Sequence, residues 1–143
     1  IRETVSRVNG VAGWGDVCAV GSNDLTQYLL AVDRNNPRVA DLYNSFHPSV
    51  LRALNSIVDQ VKDEGVGLSV CGEMAGDPMG AILLMAMGYD VLSMSSTSLP
   101  KVKAVIRNIT LAQAQHMLSE VMSLSHAEAV TQTMTRLMRE ANI

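Results

Sequence analysis

The run Val20-Gly21-Ser22-Asn23-Asp24-Leu25-Thr26-Gln27-Tyr28-Leu29-Leu30-Ala31-Val32-Asp33-Arg34-Asn35-Asn36 decides how the rest of the chain is read. It sets a polar cluster directly after a short apolar stretch, with an arginine ten residues beyond Asp24. Val17, Cys18, Ala19 and Val20 have the length and the small, partly β-branched composition of a strand buried on both faces, and Gly21 breaks the run. Leu25 to Val32 reads as a short helix. Ser22, Asn23 and Asp24 then fall where a strand ends and a helix begins, and any of them is a good N-cap. In an α/β protein the same junction is where polar side chains and free helix amides converge on ligands. A cap alone would account for the tripeptide, so a ligand site needs a second, matching junction.

Ser69-Val70-Cys71-Gly72-Glu73-Met74-Ala75-Gly76-Asp77-Pro78 supplies it. Leu68, Ser69 and Val70 form a second strand-like run with Cys71 at its end, and two glycines leave a tight turn before a new helix. If the two strands lie parallel in one sheet, Asp24 and Cys71 share the rim at their carboxyl ends. Val91 to Met94 is a third such run, followed by Ser95, Ser96 and Thr97, which read as a turn.

The chain has 143 residues, 48% hydrophobic and 17% charged, enough for one globular core. Three strand-like runs before helices predict three β/α units, fewer than a complete eight-fold barrel, which takes about 250 residues. A net charge of −3 with scattered Lys and Arg gives no basic stripe, which argues against a nucleic-acid partner. The longest apolar run, Met79 to Tyr89, is well short of the ~20 residues that span a bilayer. No charged start, apolar core and cleavage site opens the chain. Two cysteines in strand-like runs suggest reduced thiols in the cytosol.

Other segments support this organisation. Ile1, Val5 and Val8 are at helical spacing, but Gly10, Gly13 and Gly15 interrupt, and residues 1–16 are left unassigned. Asn35-Asn36-Pro37 is a turn signal, and Arg38 to Tyr43 suggests a helical turn. Pro48 opens a helix whose Val50, Leu51, Leu54, Ile57, Val58 and Val61 make one stripe, stopped by Gly65 and Gly67. His47 before it reads as a local cap or a surface residue. Asp77-Pro78 starts a helix that is apolar on nearly every side from Met79 to Met87, so core or another subunit must cover it all round. Gly88 ends that helix. Nine methionines and 3% aromatic residues describe an adaptable core. Ser98 to Asn108 reads as a helix with Lys101, Lys103 and Arg107 on its wet side. Thr110 with Gln113, and Ser125 with Glu128, are capping boxes for two more helices, whose apolar positions suit packing on a neighbour or across a dimer. No catalytic grouping appears in the tail.

Gly21-Ser22-Asn23-Asp24-Leu25-Thr26-Gln27-Tyr28, then Ala31-Val32-Asp33-Arg34-Asn35-Asn36, then Cys71-Gly72-Glu73-Met74-Ala75-Gly76-Asp77 resemble the phosphoenolpyruvate-binding barrel of the phosphoenolpyruvate-protein phosphotransferases, the enzyme I proteins. The resemblance runs from about Val17 to Asn108. Asp33-Arg34-Asn35-Asn36 and Gly76-Asp77-Pro78 look most like the nitrogen-regulatory branch. It implies an α/β fold, the C-terminal portion of a phosphoenolpyruvate/pyruvate-type TIM barrel, with 17–108 as the partial barrel and 109–143 as C-terminal helices. It implies Asn23, Asp24 and Arg34 for substrate binding, Asp24 as a Mg²⁺ ligand and Cys71 as the acid that protonates the enolate of pyruvate. Arg34 has the planar fork for phosphate oxygens, and a thiol kept neutral by partial burial suits the acid. Glu73 and Asp77 are left as groups that orient the turn, or for Asp77 a cap; Cys18 is read as core. The implied partners are phosphoenolpyruvate, a histidine-containing phosphocarrier protein and a second copy of the chain.

The family's phosphohistidine domain, early-strand arginines and second magnesium carboxylate are not found here. The chain alone is therefore expected to bind phosphoenolpyruvate weakly and transfer nothing. His47, His116 and His126 do not inherit the phosphohistidine role. The related barrel of pyruvate phosphate dikinase is the nearest alternative, and a non-catalytic dimerisation or ligand-sensing module is the alternative of another class.

Overall fold

Small apolar runs that alternate with amphipathic helices build a parallel sheet with helices laid on one face. The computed structural model describes residues 17–62 and 65–143, and the reading of residues 1–16 lies outside the described residues. Strands β1 (Val17–Gly21), β2 (Gly67–Cys71) and β3 (Val91–Ser93) pair in the order β1-β2-β3, all parallel. Helices α1 (Ser22–Leu30) and α2 (Pro48–Lys62), with a 3₁₀ turn at Ala40–Leu42, connect β1 to β2. A short α3 (Glu73–Gly76) and α4 (Pro78–Met87) connect β2 to β3, and α5 (Leu99–Asn108), α6 (Leu111–Met122) and α7 (Ala127–Glu140) follow.

The pairing is in register: Ala19 with Ser69 and Ser69 with Val91, then Gly21 with Cys71 and Cys71 with Ser93. Side chains alternate across a strand, so each such row shares one face. Cys18, Val20, Leu68, Val70 and Leu92 point to the helices and join the core. Val17, Ala19, Cys71, Val91 and Ser93 lie on the other face and are exposed. The expectation of a first strand buried on both faces is therefore corrected: among the described residues helices cover one face, and Val17 is 65% exposed.

The α2 stripe is buried as its spacing predicts. α4 is covered within the chain by α2, α3, α5 and α6, and Ala81, Ile82, Leu83 and Leu84 are fully inaccessible. The apolar positions of α6 and α7, among them Met117, Val121, Val130, Met134 and Leu137, join the same core as β2 and α2. Asp77 caps α4 by accepting from the Gly80 amide at 3.0 Å, with Pro78 at the first position, and Gly88 ends it with φ 106°. Thr110 and Gln113 make the reciprocal capping box of α6. The second box is not formed. His126 is the N-cap of α7 and makes no side-chain cap bond, because the extended residue that enters the helix stands one position past Ser125. His47 does behave as a local cap, its Nδ1 accepting from the Ser49 amide at 3.2 Å.

Candidate functional site at the carboxyl rim of the sheet

The carboxyl ends of β1 and β2 carry the two motifs, and the turn after β2 leans against the first turn of α1. Gly21, with no side-chain bond, is the N-cap of α1, so Ser22, Asn23 and Asp24 lie inside the helix and none of them caps it. Their side chains serve the neighbouring strand end. The buried Ser22 hydroxyl donates to the Cys71 carbonyl at 2.9 Å, tying the two junctions together. Asn23 Oδ1 accepts from the Glu73 amide at 3.1 Å and from the Tyr43 hydroxyl at 3.4 Å. That leaves the Nδ2 donors of Asn23 without a protein partner among the described residues.

Gly72 is what allows the approach. Its φ of 123° belongs to the region that favours glycine, and a Cβ there would run into Ser22 Oγ and lie 2.9 Å from Asn23 Oδ1. Any other residue would push the Cys71 turn off α1.

Asp24 and Cys71 come to the same side of the sheet. Gly21 and Cys71 are register partners, so a Cβ on Gly21 would point the way the Cys71 side chain does. The Asp24 Oδ2 lies 3.6 Å from that Cβ position. The Asp24 carboxylate, close to the Gly21 Cβ position, and the Cys71 side chain are therefore both directed to the open face of the sheet. Cys71 is free and exposed, which corrects the expectation of partial burial. The physical reason is the row it sits in: its flanking partners are Gly21 and Ser93, too small to cover the sulfur. Cys18 is also free, half-buried and packed on the core, as its mid-strand position predicts.

Arg34 reaches the rim from the loop after α1. Asp33 Oδ1 accepts from the Asn35 amide at 2.9 Å, the Asp33 carbonyl from the Asn36 amide, and Asn36 Oδ1 from the Arg38 amide, so this loop is a pair of side-chain-closed turns. Arg34 projects from its crest, and its Nη1 lies 3.1 Å from Glu73 Oε1. The Glu73 pairing spans 39 residues and has no local sequence signal. Tyr43 likewise joins the site without having been singled out in the sequence.

Two clefts flank Glu73. One, of about 360 Å³, is lined by Asn23, Gly72, Glu73, Gly76, Ser95 and Ser98, so residues beyond all three strands meet there. The other, of about 310 Å³, includes Tyr43, Phe46, Glu73 and Asp77. Ser95 Oγ bonds Thr97 Oγ1 in the turn expected at Ser95 to Thr97, and it donates to Ser98 Oγ beyond it. A larger groove of about 750 Å³ between the head of α4 and α7 carries one cation, Arg139, and neither Asp24, Arg34 nor Cys71. Both rim clefts, by contrast, are lined by Glu73, which bonds Asn23 and Arg34. Among the described residues no group of three or more His, Cys, Asp and Glu side chains could hold a metal ion. No helix among them is long and apolar enough to cross a membrane.

Residues 4–111 match the family of the PEP-utilising enzyme, PEP-binding domain, which extends the resemblance on both sides of Val17 to Asn108. A protein of Salmonella typhimurium named "Phosphoenolpyruvate-dependent phosphotransferase system" is 52% identical over 100 residues, 70% of this chain and 13% of that protein. A "Phosphoenolpyruvate-protein phosphotransferase" of Haemophilus influenzae is 38% identical over 128 residues, 90% of this chain and 22% of that protein. The "Multiphosphoryl transfer protein" of Xanthomonas campestris is 41% identical over 130 residues, 91% of this chain and 16% of that protein. The chain thus spans a small part, 13% to 22%, of the length of these relatives.

Proposed function

Since the chain belongs to the family of PEP-binding domains of PEP-utilising enzymes, we propose that it is the phosphoenolpyruvate-binding part of a phosphoenolpyruvate-protein phosphotransferase. In the whole enzyme the phosphoryl group passes from phosphoenolpyruvate to a histidine of a separate domain and then to a phosphocarrier protein, releasing pyruvate. The observation that carries this reading is the common rim: a carboxylate and a thiol directed to one face at adjacent strand ends, with an amide and a guanidinium tied to the same turn. Phosphotransferase names among the relatives favour it over the dikinase. The finer reading is the nitrogen-regulatory branch, on Asp33-Arg34-Asn35-Asn36 and Gly76-Asp77-Pro78, within a TIM barrel to which β1, β2 and β3 would contribute three strands.

The chemistry follows from the side chains. Arg34 offers paired N–H donors to phosphate or carboxylate oxygens, and Asn23 Nδ2 adds another. Transfer of the phosphoryl group breaks its bond to the enol oxygen and forms one to the acceptor nitrogen, leaving an enolate. Positioning and charge stabilisation do most of the work in such a step, and Arg34 serves both. The Cys71 thiol then gives its proton to the methylene carbon, completing pyruvate. Its exposure allows water to return that proton.

Asp24 is a hard oxygen donor, and magnesium takes one or two protein carboxylates beside substrate oxygens and water, so its chemistry fits a share of a Mg²⁺ site. Bound there, the ion would neutralise charge on the transferring group. A homodimer belongs to the same proposal, with a surface other than the apolar stripes of α6 and α7, which are used within the chain. A cytoplasmic setting follows from the substrate.

The test uses the full-length protein that contains this chain. Calorimetric titration with phosphoenolpyruvate and Mg²⁺ should show binding that Arg34→Ala weakens about tenfold or more, as expected for loss of a charged hydrogen-bonding fork. Labelled phosphate should pass to a phosphocarrier protein. A protein blind to phosphoenolpyruvate, or one forming ATP from it, would overturn the reading.

A further inference from the structure

Arg34 stands on an exposed turn, and its side chain is 40% exposed. Among the described residues, the group that holds its guanidinium is the Glu73 carboxylate, at 3.1 Å from Nη1. The backbone amide of the same Glu73 holds the Asn23 side chain by its Oδ1. One residue thereby touches both of the side chains assigned to the anionic ligand, and it lies two positions after Cys71.

Resting on the function proposed above, we infer that Glu73 is a positioning residue for the anion fork. Its carboxylate sets Arg34 over the rim before the ligand arrives. A guanidinium has five N–H donors, and Glu73 engages Nη1 only, so Nε and Nη2 stay available to an anion. The carboxylate orients the fork without filling it. A long side chain on an exposed turn otherwise loses rotamer freedom when the ligand binds, and that loss appears as weaker affinity. Glu73 is itself 71% exposed and lines both rim clefts, so water screens the pair. Its effect is correspondingly modest and falls on binding more than on the phosphoryl step.

A blocking role predicts the opposite sign, because an acid that occupied Arg34 would compete with the ligand. The two are separated with full-length protein by calorimetry with phosphoenolpyruvate and Mg²⁺ and by steady-state transfer kinetics. Glu73→Ala should raise Kd and KM about three- to tenfold, the range of a weak exposed ion pair, and leave kcat within about twofold. Glu73→Gln keeps an acceptor for Nη1 and should recover most of that loss. In an Arg34→Ala background Glu73→Ala should add less than about twofold, since the partner is gone.

Tighter binding by Glu73→Ala, unchanged binding, or a full additive loss in the Arg34→Ala background would each overturn the inference. Melting temperatures of all variants show whether the fold is kept. If Glu73→Ala melts early, the comparison of Glu73→Gln with the parent decides instead. A wild-type protein that ignores phosphoenolpyruvate removes the functional reading and this inference with it. A wild-type protein that binds, with Arg34→Ala weakened and Glu73→Ala unaffected, removes this inference alone.

Discussion

At the scale of single residues the rim depends on Gly72 more than on any charged group. A side chain there meets Ser22 and Asn23 in a backbone conformation that L residues avoid. Gly72→Ala should cost about 2–3 kcal/mol, the sum of backbone strain and a forced separation of the two turns. It should also break the hydrogen bonds from Glu73 and Tyr43 to Asn23. Calorimetric melting checks the first part, and titration with phosphoenolpyruvate the second; a variant as stable as the parent would show that the turn can move aside. The residue types of the rim were readable from the sequence, since Ser22, Asn23, Asp24 and Cys71 stand at the two junctions and Arg34 follows in the same motif. Their local duties were not. Ser, Asn and Asp are all good caps, and only the approach of the Cys71 carbonyl, 49 residues away, turns Ser22 from a cap into a tie between strands.

At the scale of elements, caps separate sequence pattern from realised geometry. Thr110 closes a capping box on Gln113, whereas Ser125, in the same pattern with Glu128, leaves capping of α7 to the backbone of His126. Thr110→Ala should therefore lose about 1 kcal/mol, and Ser125→Ala no more than about 0.5 kcal/mol, in urea unfolding. Equal losses would mean that the Ser125 pattern is realised in solution. Helices were legible because a stripe such as Val50, Leu51, Leu54 and Ile57 declares its period and its buried face. The strand faces were not. Val17, Cys18, Ala19 and Val20 are all small or apolar, and nothing in such a run says that Val17 and Ala19 face away from the helices. The third strand stops at Ser93, before Met94, because the turn through Ser95 already begins there. The Arg34–Glu73 pair joins two loops by side chains alone, and no periodicity announces such a contact.

At the scale of the molecule, one apolar cluster links the sheet to α1, α2, α3, α4, α6 and α7, with α5 packed against it through Val105. Tyr89 sits in it, 6% exposed, and donates from its hydroxyl to the Leu54 carbonyl at 3.1 Å. Burial raises its pKa above the ordinary 10.0, and the neighbouring Cys18 adds to the rise. An unfolded chain releases this phenolic proton as pH passes 10.0, while the folded chain keeps it. Stability is thus fully present below that pH and declines above it, by at most about 1.4 kcal/mol per pH unit from this group. Tyr89→Phe should cost about 1 kcal/mol at neutral pH for the lost hydrogen bond and flatten the alkaline decline. Urea midpoints taken below and above pH 10.0 for both proteins measure this, and parallel curves would assign the decline to other groups. The absence of a wet side on α4 reaches back to synthesis. Pro78–Met87 leaves the ribosome before Leu111–Met122 emerges to cover it, so in that interval its apolar surface is open to any passing chain, and a chaperone guarding this nascent protein has a binding segment there.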